Sequence, residues 1–299
     1  MDSLEGLQKR IKTTQDLRSI VTTMKSLSAV SILQYDTALK SLREYSRTVN
    51  LGVIALFKND ALQIADPVVV KAEHRRALAV VVGSDTGLVG KLNREVFRFA
   101  QEKLKSDGFD MKKAGYIAVG RQIIGQMHGK DYNMCEAYPV SNTVKAVGNT
   151  AASVLVRINE LIDEEGYTHV FVFYSRKEGT TVHPVSLQLM PFSYEWVERL
   201  KKINWPGHNF PTFSLPASEI NSALVRERVM IDLCQSITEA LSAEHHMRLT
   251  TMQAAEKNID ENLEKMNLQY QQIRQENITT ELLDVVSGAE ALRKQDKKK

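Results

Sequence analysis

The sequence of 299 residues contains little cysteine and has no long apolar run. Its two cysteines, Cys135 and Cys234, lie far apart without a C-x-x-C pattern, so neither a disulfide framework nor a cysteine zinc site is expected. Sparse cysteine of this kind is typical of a reducing compartment. No stretch reaches the ~18 consecutive apolar residues of a membrane-spanning helix, and the first residues do not resemble a secretion signal. We therefore expect no direct membrane insertion and any membrane association to be made through a partner.

The sequence also has no large net charge. The formal net charge is only +3, and aromatic residues are not interleaved with basic patches, so a nucleic-acid partner is not expected. A content of 43% hydrophobic and 25% charged residues is typical of a globular protein with one sizeable core or two modest ones.

Proline is absent from both ends of the chain. All seven prolines lie between Pro67 and Pro216, so residues 1–66 and 217–299 form two arms without this helix breaker. In both arms apolar residues recur mostly at spacings of three and four, which indicates helices. These positions are Leu4, Leu7, Ile11, Leu17, Val21, Met24 and Leu27 in the first arm, and Val229, Leu233, Ile237, Leu241, Ala255, Ile259, Leu263, Met266, Ile273, Leu282 and Val285 in the second.

Helices of this length need a partner. An arm of ~80 residues would be on the order of 120 Å long, and such a pattern without internal caps favours a coiled coil. We therefore predict a long antiparallel coiled coil between the N-terminal helix of 1–66 and the C-terminal helix of 217–299. The second arm is longer, so part of it projects. Its unusual content of Gln, Asn and Thr over 269–280 predicts that this end contacts protein.

The central residues 67–216 predict an α/β domain. Three β-rich runs alternate with two helical stretches, which is the pattern of a parallel, Rossmann-like sheet. The runs lie at 77–83, 116–120 and 168–175, and the helical stretches at 92–104 and 151–162. Residues 182–190 are a further candidate strand, which Pro184 restricts to an edge or to the first residues of the strand.

A glycine-rich turn, GSDTGLVGKLN, follows the first predicted strand at 83–93. A Walker loop requires a glycine five residues before its Gly-Lys pair and a Ser or Thr after it, but Asp85 and Leu92 occupy those positions. The dinucleotide fingerprint fails too, because Gly83 and Gly87 are four residues apart. We expect a tight turn from strand to helix, with Ser84 or Asp85 as the helix cap. No nucleotide or other cofactor is expected.

Candidate catalytic and metal-binding groups are few. His245 and His246 are adjacent, so on a helix their imidazoles point about 100° apart and do not form a zinc pair. The acidic run Asp163-Glu164-Glu165 precedes Gly166 and is interpreted as the solvated end of a helix. No arrangement of Ser, His and an acid can be identified from spacing. We therefore predict no catalytic residue and no metal site.

Four segments resemble the γ subunit of F-type ATP synthases, in the right order along nearly the whole chain. RQENITTEL at 274–282, continuing through 285–289, is similar to that family's C-terminal signature R-Q-x-x-I-T-x-E-L. The other three segments are Arg10-Ile11-Lys12 with Thr23-Met24-Lys25, the S-D-x-G-L-x-G-x-L-N loop at 84–93, and Glu244 with Arg248, Met252 and Ala254-Ala255. Thr86, Val89 and Lys91 replace the loop's usual Arg, Cys and Gly, which indicates a divergent branch.

The resemblance implies a central-stalk rotor subunit that couples proton or sodium flow through a membrane c ring to ATP synthesis or hydrolysis on β subunits. Its partners would be three α and three β subunits, the ε subunit and the c ring. It would be a non-catalytic, peripheral membrane protein on the cytoplasmic face of a bacterial inner membrane. The implied coupling residues are Met24, Lys25, Arg248, Gln275, Thr279 and Glu281, and the implied foot-domain loop contains Ser84, Asp85, Gly87, Gly90 and Asn93.

Two other interpretations stay open from the residues alone. The first is a coiled-coil adaptor or scaffold that transmits no torque, for which long helices suffice. The second is an α/β enzyme with helical extensions. Ring-shaped partners would separate the rotor from the adaptor, and hydrolysis of ATP by the isolated chain would favour the enzyme.

Overall fold

A computed structural model describes residues 4–58, 74–127, 132–140, 143–192, 194–203, 205, 207, 209 and 212–296. The predicted boundary between residues 66 and 67 lies outside these ranges, and so do the two ends of the predicted arms, 1–3 and 297–299. The described elements are, in chain order, α1 (Leu4–Lys58), β1 (Ala77–Val82), α2 (Leu92–Ser106), β2 (Gly115–Val119), α3 (Arg121–Met127), β3 (Asn133–Tyr138), α4 (Val144–Glu165), β4 (His169–Glu178), β5 (Thr181–Met190), α5 (Tyr194–Lys202) and α6 (Ala217–Asp296).

The chain divides into two compact units. Ser28–Arg248 form the first, here called the α/β unit, and Met1–Leu27 with Leu249–Lys299 form the second, here called the helical unit. Helices α1 and α6 each contribute residues to both units.

The α/β unit is built on a five-stranded sheet in the order β3-β2-β1-β4-β5. The first four strands are parallel, whereas β5 returns antiparallel to β4 at the edge of the sheet. The predicted Rossmann-like domain is therefore confirmed, with a mixed rather than wholly parallel sheet. Pro184 lies in the edge strand β5, as predicted.

Helices cover both faces of the sheet, which is why every residue of β1 is buried. Ala77, Ala79 and Val81 of β1 pack with α2 and α3 in one apolar cluster. On the opposite face the cluster contains β1, α4 and α6, and its members include Leu78, Val80, Val82, Val154, Ile158, Leu233, Ile237 and Leu241. The C-terminal helix is thus part of the core of the α/β unit, since its residues 229–241 lie in this cluster.

The expected capping of α2 by Ser84 or Asp85 is wrong. Helix α2 begins only at Leu92, and its N-cap residue Lys91 makes no side-chain capping bond. The loop before it instead lies close to the start of α3, so the Asp85 Oδ1 atom accepts hydrogen bonds from the N–H groups of Arg121 (3.0 Å) and Val140 (2.9 Å). Asp85 therefore satisfies a donor in the first turn of α3, the helix after the neighbouring strand β2.

In the helical unit α1 and α6 run antiparallel. Arg18 forms an ion pair with Asp260 at 2.6 Å, and Thr22 donates a hydrogen bond to Glu256 at 2.9 Å. Residue numbers along α1 therefore rise as those of their partners in α6 fall. The same register places Leu4, the first described residue of α1, opposite Arg274. Helix α6 continues to Asp296, so its last part has no partner among the described residues of α1. The predicted antiparallel pairing with a projecting second helix is confirmed.

Candidate functional site

The loop between β1 and α2 is held closed by its own side chains. The N–H of Ser84 donates to Asn93 Oδ1 at 2.9 Å, and Asn93 Nδ2 donates to Ser84 Oγ at 2.8 Å. A Cβ atom on Gly83 would lie 2.3 Å from a side-chain carbon of Ile123, so only glycine fits there. Gly90 has a φ of +59°, which favours glycine. These residues shape the turn.

Arg248 of α6 enters this loop. Its Nη2 atom lies 2.5 Å from Thr86 Oγ1, 2.6 Å from Glu244 Oε1 and 3.4 Å from the carbonyl oxygen of Gly87. The residue is only 5% exposed. Burial raises the pKa of Glu244, and the charge of Arg248 opposes this shift. The loop and the C-terminal helix are therefore joined by a buried, charge-assisted cluster.

The loop after β1, at the sheet edge where many doubly wound proteins bind ligands, is partly filled by a side chain of the protein itself. Such ligands lie beyond the carboxyl ends of the strands, where the strand order reverses, which in this sheet is between β1 and β4. Arg248 fills part of the loop after β1. Asp85 adds a carboxylate, which would repel a phosphate.

The adjacent histidines are half-buried in the α/β unit. His245 stacks on Tyr35 with ring centroids 5.6 Å apart, and burial together with Arg248 and His246 lowers the pKa of His245 to about 4. Burial also lowers the pKa of His246. Across the part of the chain that the structure describes, no group of three or more His, Cys, Asp or Glu side chains is arranged to hold a metal ion. Gly166 ends α4 in the left-handed conformation after Glu165, as expected for the acidic run.

Two of the predicted coupling residues lie on α1 within the helical unit. Lys25 Nζ forms an ion pair with Glu256 Oε2 at 2.5 Å, and Thr22 donates to the other oxygen. These two hydrogen bonds lower the pKa of Glu256. Met24 is half-buried on the same helix. Lys25 thus helps to join the two helices.

Three further predicted coupling residues lie on the part of α6 beyond its pairing with the described residues of α1. Gln275, Thr279 and Glu281 are all exposed, and Thr279 Oγ1 donates to the carbonyl of Gln275 at 2.9 Å. Large apolar side chains surround them and are also exposed, by 47% to 70%. They are Ile278, Leu282, Leu283, Val285 and Val286. This set, with Gln275 and Thr279, is called the tip surface below.

The sequence-predicted residues are therefore not one site. Arg248 meets the loop of Ser84, Asp85 and Gly87 in the α/β unit, whereas the other five coupling candidates belong to the helical unit. Sequence reasoning did not anticipate the contact between Arg248 and Thr86, because the two residues are 162 positions apart. It also emphasised the amides of the tip surface and missed how many large apolar side chains are exposed there. Their roles in coupling stay predictions.

A Rossmann-like α/β unit whose chain begins and ends in long helices, with large apolar residues exposed over 278–286 of the described part of α6, is typical of subunits of larger assemblies. The sequence model of the family described as ATP synthase matches residues 3–292. This match spans nearly the whole chain, and the chain belongs to this family.

Relatives agree with this membership, and solved structures agree with the fold. The chain is 27% identical over 294 residues to the ATP synthase gamma chain of Geotalea daltonii and 25% identical over 299 residues to that of Geotalea uraniireducens, covering 98% of this chain and 100% of each relative. Its fold matches the rotor of the Euglena gracilis mitochondrial ATP synthase with a TM-score of 0.63 and 16% identity, covering 92% of this chain and 98% of that one. A chain of the OSCP/F1/c-ring assembly from the same organism gives a TM-score of 0.64 at 15% identity, covering 97% and 94%.

Within the described helices, none combines the length and the apolar character required to cross a bilayer.

Proposed function

We infer that this chain is the γ-type central-stalk rotor subunit of an F-type ATP synthase. It couples ion flow through the membrane c ring to ATP synthesis or hydrolysis on the β subunits. The observation that carries this proposal is the tip surface: five large apolar residues are exposed on a helix that extends beyond its partner. A contiguous apolar patch of this kind marks a protein interface. A ring of three α and three β subunits would cover it.

The α/β unit is assigned to the foot of the stalk, where it meets the ε subunit and the c ring. The corresponding division of the chain is an N-terminal helix over 1–66, a foot domain over 67–216 and a C-terminal helix over 217–299. The complex holds the subunit at the cytoplasmic face of a bacterial inner membrane. The names of the relatives, all ATP synthase gamma chains, support this assignment.

Assembly with the ring tests the proposal directly. The chain would be co-expressed with the α and β subunits of its own complex, and the purified assembly would be analysed for all three subunits and for ATP-driven rotation. Leu282→Asp combined with Val285→Asp should lower the yield of the assembly at least tenfold, because two charges would be buried in an apolar contact.

The matched control is Val156→Asp, since Val156 is 58% exposed on α4 in the α/β unit. This variant should assemble with α and β at the wild-type yield. Normal assembly of the Leu282 and Val285 variant would contradict the rotor assignment.

The subunit itself is proposed to be non-catalytic. The loop at Gly83–Asn93 lacks the glycine and hydroxyl that phosphate and magnesium need, and Arg248 occupies part of it. Calorimetric titration of the isolated chain with Mg-ATP should show no binding. Micromolar binding that Lys91→Ala abolishes would show that the loop is a nucleotide site after all.

Coupling is proposed to depend on Met24, Lys25, Arg248, Gln275, Thr279 and Glu281. Gln275 and Thr279 can make neutral hydrogen bonds of about 0.5–1.5 kcal/mol each, which are weak enough to be exchanged during rotation. Met24→Lys should add a charge-assisted bond that favours one rotational state. ATP hydrolysis then persists while ion pumping per ATP falls.

Hydrolysis and ion transport would be measured on the same membranes. Gln275→Ala combined with Thr279→Ala should instead lower turnover without dissociating the complex. An unchanged ratio of transport to hydrolysis in Met24→Lys, together with normal turnover of the double alanine variant, would refute these coupling positions but not the assignment to the family.

A further inference from the structure

A groove runs along α1 in the α/β unit. It consists of two adjoining cavities of about 630 and 600 Å³, which share Arg43 and Gln235 as lining residues. The first cavity is also lined by Lys40 and Lys177, and the second by Arg47 and Arg199. The cavities adjoin at these two shared residues, and together they are here called the basic groove.

Three basic residues of the groove form a row on one helix. Lys40, Arg43 and Arg47 are separated by three and four positions, so they lie on the same face of α1. At 1.5 Å per residue the row extends over roughly 10 Å. The charges are therefore distributed along a line rather than gathered around one point.

Across the part of the chain that the structure describes, most of these basic side chains have no carboxylate at ion-pair distance. Among the described residues no carboxylate lies within ion-pair distance of Arg43 or Arg199, and Arg47 has only the distant Glu44 at 3.9 Å. Arg228 differs, because it binds Asp232 at 2.7 Å and Asn50 at 2.9 Å. In the described part of the chain, the guanidinium groups of Arg43 and Arg199 thus have no anionic partner.

The acidic residues at the other end of the groove are already engaged. Glu239 accepts a hydrogen bond from Arg176 at 2.6 Å, and Asp36 accepts one from Ser242 at 2.8 Å. Glu178 lies 3.5 Å from His183. Their charge makes the end of the groove near Lys40 mixed, and leaves the end near Arg47 and Arg199 basic.

The floor of the basic end is apolar. It is formed by Leu51, Ile54, Trp196, Leu200 and Ile203. Trp196 already packs with Phe192 at a centroid distance of 5.0 Å and with the guanidinium of Arg228 at 5.3 Å. A nucleotide base is therefore a poor fit, whereas aliphatic side chains can pack against Ile203, which is 43% exposed, and against the half-buried Leu51.

We propose that the basic groove binds an acidic amphipathic helix of another subunit of the ATP synthase. Carboxylates spaced three or four residues apart on such a helix match the row of Arg43 and Arg47, and its aliphatic side chains pack on the floor. Arginine forks bind carboxylates bidentately, which gives the contact its orientation. The length of the groove and the linear row favour a polypeptide over a compact anion. This inference rests on the proposed function, since it requires the other subunits.

Photo-crosslinking in the assembled complex tests it. Ile203 is replaced by p-benzoylphenylalanine, the purified complex is irradiated, and the attached segment is identified by mass spectrometry. The expected product is one segment with Asp or Glu at spacings of three or four. Arg199→Glu in the same background should reduce the yield at least tenfold, and exchanging the matching carboxylate of that segment for arginine should restore it.

The matched control is Arg98→Glu, which reverses the charge of an exposed arginine on α2 that pairs with Glu102. It should leave the cross-linking yield unchanged. The proposal is overturned by a product without carboxylates, by a yield that Arg199→Glu does not alter, or by saturable binding of pyrophosphate to the isolated chain that Arg199→Glu abolishes.

The two proposals fail differently. An intact complex without a product at position 203 refutes the basic groove as a binding site and leaves the rotor assignment standing. A wild-type chain that does not assemble with α and β subunits refutes both.

Discussion

Helix α6 contains two stretches with the same residue types and opposite environments. Leu233, Ile237 and Leu241 are at most 1% exposed, because they pack against the sheet of the α/β unit. Leu282 and Val285 are 62% and 70% exposed. Both stretches have the apolar periodicity of a helix that buries one face. The difference shows that apolar periodicity identifies a helix face that is suited to burial. It does not show whether the same chain or a partner buries that face.

Hydrogen exchange should reveal the largest contrast between the two environments. In the free chain, amides at 274–288 should exchange at least about a thousandfold faster than those of β1, because an unsupported helix end opens at little cost in free energy. After assembly with the α and β subunits, protection should increase over 274–288 and stay unchanged in β1. Strong protection of 274–292 in the free chain would mean that this end packs within the chain, and the rotor assignment would fail.

Removal of a buried ion pair should have the next largest effect. Arg248→Ala leaves the buried Glu244 without its partner and should lower the free energy of unfolding by about 3–5 kcal/mol. Arg18→Ala breaks an ion pair with Asp260 whose side chains are about half exposed, and should leave stability nearly unchanged. Urea denaturation of both variants provides the comparison. Equal losses would indicate that burial does not distinguish the two pairs.

Truncation of apolar side chains should show a smaller difference of the same sign. Ile158→Ala creates a cavity beneath the sheet and should cost about 2–5 kcal/mol. Ile278→Ala removes an isoleucine that is 47% exposed on the tip surface, and its effect in the free chain should be within about 0.5 kcal/mol. Both values come from the same urea series. A comparable cost at Ile278 would reveal an intramolecular contact for the tip surface.

Acid should weaken the α/β unit through His245, which is the smallest expected effect. The pKa of His245 is lowered to about 4 in the folded protein, against an unfolded value near 6.5, so the unfolded chain takes up the proton first. Stability therefore falls as the pH drops from about 6.5 to about 4. His245→Phe keeps an aromatic ring beside Tyr35 and should show a shallower fall over this range when the midpoint of urea denaturation is measured.

Other groups titrate in both proteins. Burial lowers the pKa of His246 and raises the pKa of Glu244 and Asp232, so only the difference between the two curves reports on His245. Parallel curves would mean that His245 does not titrate as described.

Local patterns predicted those parts of the fold that depend on neighbouring residues. The absence of proline and the spacing of Leu233, Ile237 and Leu241 indicated the long helices, and the strands β1, β2 and β4 were found from their β-rich runs. Strand β3 and the seven-residue α3 were not predicted, because they are short and no residue of β3 is fully buried. Helix α4 begins at Val144, before the predicted start at 151, since it tolerates Gly148.

Long-range contacts were beyond the reach of the sequence. Asp85 was expected to cap α2 but satisfies a backbone donor of α3, which only the sheet order brings near it. The bond between Arg248 and Thr86 likewise depends on where α6 crosses the sheet. That part of α6 projects was predictable from the two arm lengths, whereas the number of exposed apolar residues was not. Contacts made between distant parts of a chain have no local signal.

Because α6 is one unbroken helix, the number of residues between two of its side chains determines the angle between them about the helix axis. Each residue turns an α-helix by about 100°, so within the helical unit the direction of the tip surface relative to Asp260 is fixed by the count of residues between them. One residue inserted after Asn267 would turn the tip surface by about 100°, four by about 40°, and seven by about 20° in the opposite sense. The length of this segment therefore determines the direction in which the tip surface points. Point substitutions leave that direction unchanged, whereas each inserted residue rotates it.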